Sequence, residues 1–240
     1  FINDIHYNTI YKNRLNYHGN LANNISIFSG LNVDELAILD ISKRPNKFNS
    51  KILKTAVKYC QAPISYGGNI GSIEIVDKIL SIGFERIILS SLPIKNNNLT
   101  NNIIKEYGSS TVILKHDFLI KKGLIYLLSF HPKLEYHLLD EQLITRLKNF
   151  SSCERILSFY QSDGLDNIAN MSLVKSLYSI FNSCSGCISY SGGISSMAEC
   201  DLLWSFGFSG LYSATFLSYA NKSKHSKIPH YPSNKYWHFN

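Results

Sequence analysis

One stretch of this chain is written twice, and any fold has to accommodate both copies. Residues 64–91 open Ile64-Ser65-Tyr66-Gly67-Gly68-Asn69-Ile70, and residues 188–215 open Ile188-Ser189-Tyr190-Ser191-Gly192-Gly193-Ile194. The copies stay in step through Ser72 and Ser196, Asp77 and Asp201, Ser81 and Ser205, and Gly83-Phe84 and Gly207-Phe208. They close on small residues, Ser90-Ser91 in the first and Ser213-Ala214-Thr215 in the second. Each copy reads strand, Gly-rich turn, helix, strand, small polar turn. A spacing of roughly half the chain means two similar halves, not a many-unit solenoid.

Around these copies, short apolar runs alternate with helix-length amphipathic stretches. Strands are predicted at 36–41, 62–66, 86–89, 111–115, 154–159, 187–190 and 210–213. Helices are predicted near 21–32, 49–60, 72–82, 99–107, 139–150, 171–183 and 196–206. Continuous apolar strands, each followed by a crossover helix, specify an α/β fold with a parallel sheet covered by helices. Two related halves favour closure into a (β/α)8 TIM barrel over an open doubly wound sheet. The expected organisation is one barrel domain over 1–240, with half-barrels at about 1–108 and 109–220 and a polar tail at 221–240. Only seven strands can be counted and the chain opens on Phe1, not Met, so the first strand is expected to be truncated, missing or overlapping Phe1. The longest connection, 118–138, holds Lys121-Lys122-Gly123 between apolar residues and reads as a hairpin at the C-terminal mouth, where barrel substrates sit.

Composition narrows the partners. The formal charge of +7 is carried by scattered lysines and arginines, whereas nucleic-acid binding wants a concentrated basic face. Such a charge also suits phosphate-bearing small molecules. No apolar run reaches the roughly 18 residues that span a bilayer, and no signal peptide is visible. Five cysteines, mostly in or beside apolar segments, read as free thiols of a reducing cytoplasm. Cys184-x-x-Cys187 has no second Cys/His pair at zinc spacing, and the eight histidines show no ligand spacing, so no metal or cofactor is expected.

Three carboxylates fall at strand ends on the catalytic side: Asp40, Asp117 and Asp163. Carboxylates there can shuttle protons, or each can cap a helix or brace a loop. Gly67-Gly68 and Gly192-Gly193 follow strands and open helices, where backbone N–H groups and the helix dipole favour an anion. Ser90-Ser91 and Ala214-Thr215 end the next strand in each half and offer hydroxyls to the same phosphate. Alternation turns His116 away from Asp117.

The segments Val33-Asp34-Glu35-Leu36-Ala37-Ile38-Leu39-Asp40-Ile41, Gly67-Gly68-Asn69-Ile70, Asp163-Gly164 and Ser191-Gly192-Gly193-Ile194 together resemble the HisF family, the cyclase subunit of imidazole glycerol phosphate synthase. The match runs in order over essentially the whole chain. The resemblance implies a (β/α)8 barrel of two half-barrels that binds a bisphosphorylated substrate. It implies that ammonia comes from a separate HisH-like glutaminase subunit and enters at the N-terminal end. The products would be a cyclised imidazole and an aminoimidazole ribotide. By the same resemblance Asp117 is the general acid/base, Asp163 is the carboxylate before Gly164, and Asp40 is the acidic residue ending the second strand. Gly67, Gly68, Ser90 and Ser91, with Gly192, Gly193, Ala214 and Thr215, match the two phosphate sites. Glu35, Arg86 and Glu154 match three members of a charged ammonia gate.

The departures from the family pattern are specific. The family's first catalytic Asp, on strand one, has no counterpart. Its third phosphate-loop Gly is Asn69, its Asn-Thr is Ser90-Ser91, and its Asp-Arg-Asp-Gly-Thr is Gln161-Ser162-Asp163-Gly164-Leu165. A paralogous branch from lipopolysaccharide and other surface-polysaccharide clusters, associated with amidation of a sugar, resembles the chain in its altered first strand and in a Tyr-Pro-Ser like Tyr231-Pro232-Ser233. Four readings stay open: a lyase/cyclase of histidine biosynthesis, its sugar-amidating paralogue, a catalytically degenerate barrel that scaffolds or activates a glutaminase, and the sister isomerase HisA. The gate residues and the long hairpin speak against the last.

Overall fold

Apolar β-branched runs too short to be helices can bury both faces only inside a parallel sheet, and that is what they build. The computed structural model describes residues 5–10, 14–42, 49–130, 133–162 and 168–213. A hairpin of β1 (Ile5–Ile10) and β2 (Arg14–Asn20), which among the described residues pairs with no other strand, leads into α1 (Leu21–Ser29). Next come β3 (Leu36–Leu39), α2 (Ser50–Tyr59), β4 (Ile64–Gly67), α3 (Ile73–Ile82), β5 (Arg86–Leu89), α4 (Leu92–Lys95) and α5 (Asn97–Tyr107). The second half holds β6 (Val112–Lys121), β7 (Leu124–Ser129), β8 (Glu135–Leu138), α6 (Glu141–Lys148), β9 (Glu154–Phe159), α7 (Met171–Phe181), β10 (Ile188–Ser191), α8 (Met197–Ser205) and β11 (Gly210–Tyr212).

Strands β3, β4, β5, β6, β9, β10 and β11 lie side by side in that order, all parallel. Their faces alternate. Ile38, Tyr66, Ile87, Leu89 and Leu114 pack outward into one buried cluster with α1, α2, α3 and α5. Leu157, Phe159, Ile188 and Tyr190 pack outward into a second cluster with α6, α7 and α8. A third cluster, Ile88, Ile113 and Ile156, belongs to the opposite face and has both Ala37 and Tyr212 packed against it. Ala37 is on one end strand of the ladder and Tyr212 on the other. Contact with one shared cluster requires the sheet to curl, which is the curvature of a barrel. Among the described residues no ladder joins β11 to β3.

The duplicated segments fold alike. Tyr66 packs edge-on against Phe84, with ring centroids 5.5 Å apart at 73°. Tyr190 packs on Phe208 at 5.7 Å and 78°. Gly83 and Gly207 end their helices at φ +116° and +101°, left-handed values that glycine adopts freely.

Two features differ from the sequence reading. The strand predicted at 111–115 continues to Lys121, because Phe118–Lys121 pairs with Leu124–Leu127 across a turn whose central residues, Lys122 and Gly123, have φ +51° and +76°. Two positive φ values mark the tight hairpin turn whose twist matches that of its strands. The hairpin at 5–20 was not expected at all.

His116 faces outward, as alternation requires. Its ring stacks on Phe181 at 5.3 Å, and neither ring nitrogen has a hydrogen-bond partner. Burial, then the positive charges of Arg155 and Lys115, push its pKa down to about 3. An unfolded histidine titrates near 6.5, so below that pH the unfolded chain takes up a proton that the folded chain refuses. Stability is therefore complete above about pH 6.5 and falls by about 1.4 kcal/mol per pH unit as pH drops toward 3. Urea unfolding between about pH 6.5 and 5 is expected to show a loss of about 2 kcal/mol. The variant His116→Phe should flatten that slope; an unchanged slope would assign it to other groups.

Candidate active site

Asp117 is set by β6. It lies two residues beyond Lys115 and four beyond Ile113, so all three face the barrel interior. Its side chain is 2% exposed. The Ser90 hydroxyl, at the end of β5, donates to Asp117 Oδ2 at 2.8 Å. Lys115 Nζ forms an ion pair with Asp117 Oδ1. A buried carboxylate held by two donors is an anion built into the wall.

Asp40 sits differently. Its Oδ1 accepts the N–H of Ser42 at 2.8 Å and its Oδ2 the Tyr66 hydroxyl at 3.2 Å. That braces the loop after β3 against the outward-facing Tyr66, whose pKa is raised by burial and then by Asp40. Asp163, Gly164, Ala214 and Thr215 lie outside the described residues.

The two Gly-rich turns are the same turn. Gly68 and Asn69 have φ +109° and +56°; Gly192 and Gly193 have +124° and +69°. Asn69 thus occupies a left-handed position, which asparagine tolerates better than other side-chain-bearing residues. Its amide donates to the Ser42 carbonyl at 3.0 Å. Gly67 ends β4, where a Cβ would meet Leu39 at 2.7 Å. The hydroxyls predicted to line the first phosphate site have other partners. Ser90 serves Asp117, and the Ser91 hydroxyl accepts the N–H of Phe130 at 2.9 Å. At the start of α8 the Glu199 carboxylate accepts the N–H groups of Ser195 and Ser196 at 2.7 and 3.0 Å. That helix terminus is satisfied from within by its own capping residues.

At the other end of the strands, Glu35, Arg86 and Glu154 form one network. Arg86 reaches Glu35 at 2.8 Å and Glu154 at 2.6 Å, although β4 separates it from β3 and β6 separates it from β9. Exposed ion pairs at strand starts would not have to meet across the barrel like this. Burial works against the Arg86 charge, but Glu154 and Glu35 outweigh it and the pKa is raised. Sequence reasoning missed two members of this network. Ser189 donates to Glu154 Oε1 at 2.9 Å, and the Tyr212 hydroxyl to the same atom at 3.4 Å. Both lie on inward positions of β10 and β11, a signal available from alternation once the barrel is assumed. The variant Arg86→Met should lower stability by about 3 kcal/mol at neutral pH. It leaves two carboxylates facing each other without their shared cation; thermal unfolding of the variant against the natural chain checks this.

A family model described as histidine biosynthesis protein matches residues 6–223. The chain belongs to this histidine biosynthesis protein family. A Leptospira borgpetersenii protein provisionally named imidazole glycerol phosphate synthase subunit HisF is 30% identical over 226 residues, covering 90% of this chain and 86% of the relative. A Vibrio vulnificus protein provisionally named subunit hisF3 is 24% identical over 235 residues, covering 88% and 86%. An imidazole-4-carboxamide isomerase of Campylobacter jejuni is 26% identical over 184 residues, covering 70% and 69%. Family membership therefore places the chain among HisF-like and HisA-like barrels, and the choice of reaction rests on its own residues.

Proposed function

We propose that this chain is the ammonia-using, cyclase-type lyase subunit of a glutaminase-coupled enzyme of the HisF kind. The observation that carries the reading is the pairing of two polar centres on one inner wall. Asp117 stands toward the C-terminal mouth, and the Glu35–Arg86–Glu154 network stands at the strand starts. An isomerase that rearranges one bound substrate has no need of a charged network at the far end. A barrel that receives a small polar reagent there does, and desolvating three charges is otherwise unfavourable.

In this reading a HisH-like glutaminase docks at the strand starts and delivers ammonia. The phosphorylated substrate lies across the mouth, its two ends met by the turns at Gly67, Gly68 and Asn69 and at Gly192 and Gly193. Glycine turns suit this because backbone N–H groups can approach an anion without side-chain interference. Gly164, Ser91, Ala214 and Thr215 are assigned to the same rim. Asp117 exchanges protons with the substrate as ammonia adds and the ring closes, and Asp163 assists. The acceptor is either the bisphosphorylated ribotide of histidine biosynthesis or the sugar amide of the paralogous branch.

The test is isotopic. The chain is combined with a HisH-like glutaminase, glutamine labelled with nitrogen-15 in its amide, and each acceptor in turn. Label in the product is expected with one acceptor, and that acceptor decides between the two pathways. Label released only as free ammonia, with glutamine hydrolysis accelerated by the barrel, would instead establish a scaffold that activates the glutaminase.

A further inference from the structure

Lys115 is the residue that packing alone does not explain. It projects from the middle of β6 into the barrel, between Ile113 and Asp117 on the same face. An ammonium in that position is unfavourable unless paired. Its side chain is 11% exposed and is paired with Asp117, whose second oxygen accepts the Ser90 hydroxyl. The elements flanking Asp117 are β5 and β9. Along β5, Ile88 separates Arg86 from Ser90; along β9, Ile156 separates Glu154 from Ser158, which is opposite Asp117 in register. The other charges on this wall, Glu35, Arg86 and Glu154, are joined in their own network at the strand starts. Among the described residues, Lys115 and the Ser90 hydroxyl bond to Asp117, and Ser158 stands opposite it in register. His116, the titratable residue adjacent in sequence, points to the outer face.

We propose that Lys115 is a positioning residue for Asp117. Its ammonium holds the carboxylate ionised and oriented, with Ser90 fixing the second oxygen, so that Asp117 meets a substrate as a proton acceptor. Two donors on one carboxylate define it as a base at rest, because neither bond survives unchanged once the carboxylate is protonated. Pairs of titratable groups that push each other apart in this way set which acts as acid and which as base. The inference rests on Asp117 being the acid/base of the proposed reaction, but the coupling itself can be measured without that reaction.

The experiment is a pH titration by nuclear magnetic resonance. The Asp117 carboxyl carbon is followed in the natural chain, in Lys115→Met and in Lys115→Arg. Asp117 should titrate at least about one pH unit lower in the natural chain than in Lys115→Met, and Lys115→Arg should keep most of the difference. In the reverse measurement, which covers a failure of Lys115→Met to fold, the Lys115 amine should titrate at least about one unit lower in Asp117→Asn than in the natural chain. The acid limb of the rate profile should move upward in Lys115→Met by the same interval as the carboxyl titration. Equal midpoints in the natural chain and Lys115→Met, or an unshifted amine in Asp117→Asn, would overturn the assignment. Intact coupling in a protein that incorporates no ammonia would count against the proposed reaction and leave Lys115 as the partner that sets the charge of Asp117.

Discussion

Replacing Asp117 with Asn is expected to lower ammonia-dependent turnover by about 10²- to 10⁴-fold, the range a positioned acid/base supplies. Asparagine keeps the shape and can still accept from Ser90, so the loss should appear in kcat more than in KM. Stability will also fall, because the Lys115–Asp117 ion pair inside the barrel is broken, and removing one charge of a buried pair is unfavourable. The double variant Lys115→Met with Asp117→Asn separates the two effects. Removing both charges should restore much of the stability lost in the single variant, since the pair is coupled, while turnover stays at the low level. Unchanged turnover in Asp117→Asn would remove Asp117 from the chemistry. Turnover that returned with stability in the double variant would make its role structural.

The periodic parts of this fold were legible because burial enforces the period. The seven parallel strands and the helices between them follow from runs such as Arg86–Leu89 and Glu154–Phe159, whose alternate residues have nowhere to go but core. The repeat was legible because equal backbone turns need equal residues, and Asn69 could replace glycine at φ +56° without leaving the left-handed region. The hairpin was legible from Lys121-Lys122-Gly123 between apolar runs, but that its first strand is the unbroken end of β6 was not, because nothing in Phe118–Lys121 distinguishes a continued strand from a new one. Asp40 shows the limit at the site. A strand-end aspartate reads the same whether its carboxylate faces the mouth or, as here, takes the Ser42 N–H and the Tyr66 hydroxyl. Lys115 needed only alternation: two residues before an inward aspartate, it had to face inward too.

Gly68→Ala is expected to be strongly destabilising, and Gly192→Ala, at the equivalent turn, is its control. Both glycines have φ values that an L side chain rarely adopts, +109° and +124°, so both variants carry backbone strain of about 1–3 kcal/mol. Only the first also collides. A Cβ on Gly68 would lie 2.1 Å from the carbonyl oxygen of Asp40, whereas one on Gly192 would, among the described residues, meet nothing nearer than the Phe159 carbonyl at 3.4 Å. Backbone cannot swing aside as a side chain can, so relief in Gly68→Ala requires β3 and β4 to separate at their C-terminal ends. The stability loss should exceed that of Gly192→Ala by about 2 kcal/mol or more, read as a difference in urea midpoint at constant slope. Binding should divide in the same way. Under the proposed phosphate role of the turns, the displaced Gly68 N–H should weaken inorganic phosphate binding at the first turn, while the Gly192→Ala turn keeps more of its affinity. Equal losses in the two variants would mean that φ strain dominates and that the close approach of Asp40 to Gly68 relaxes at little cost.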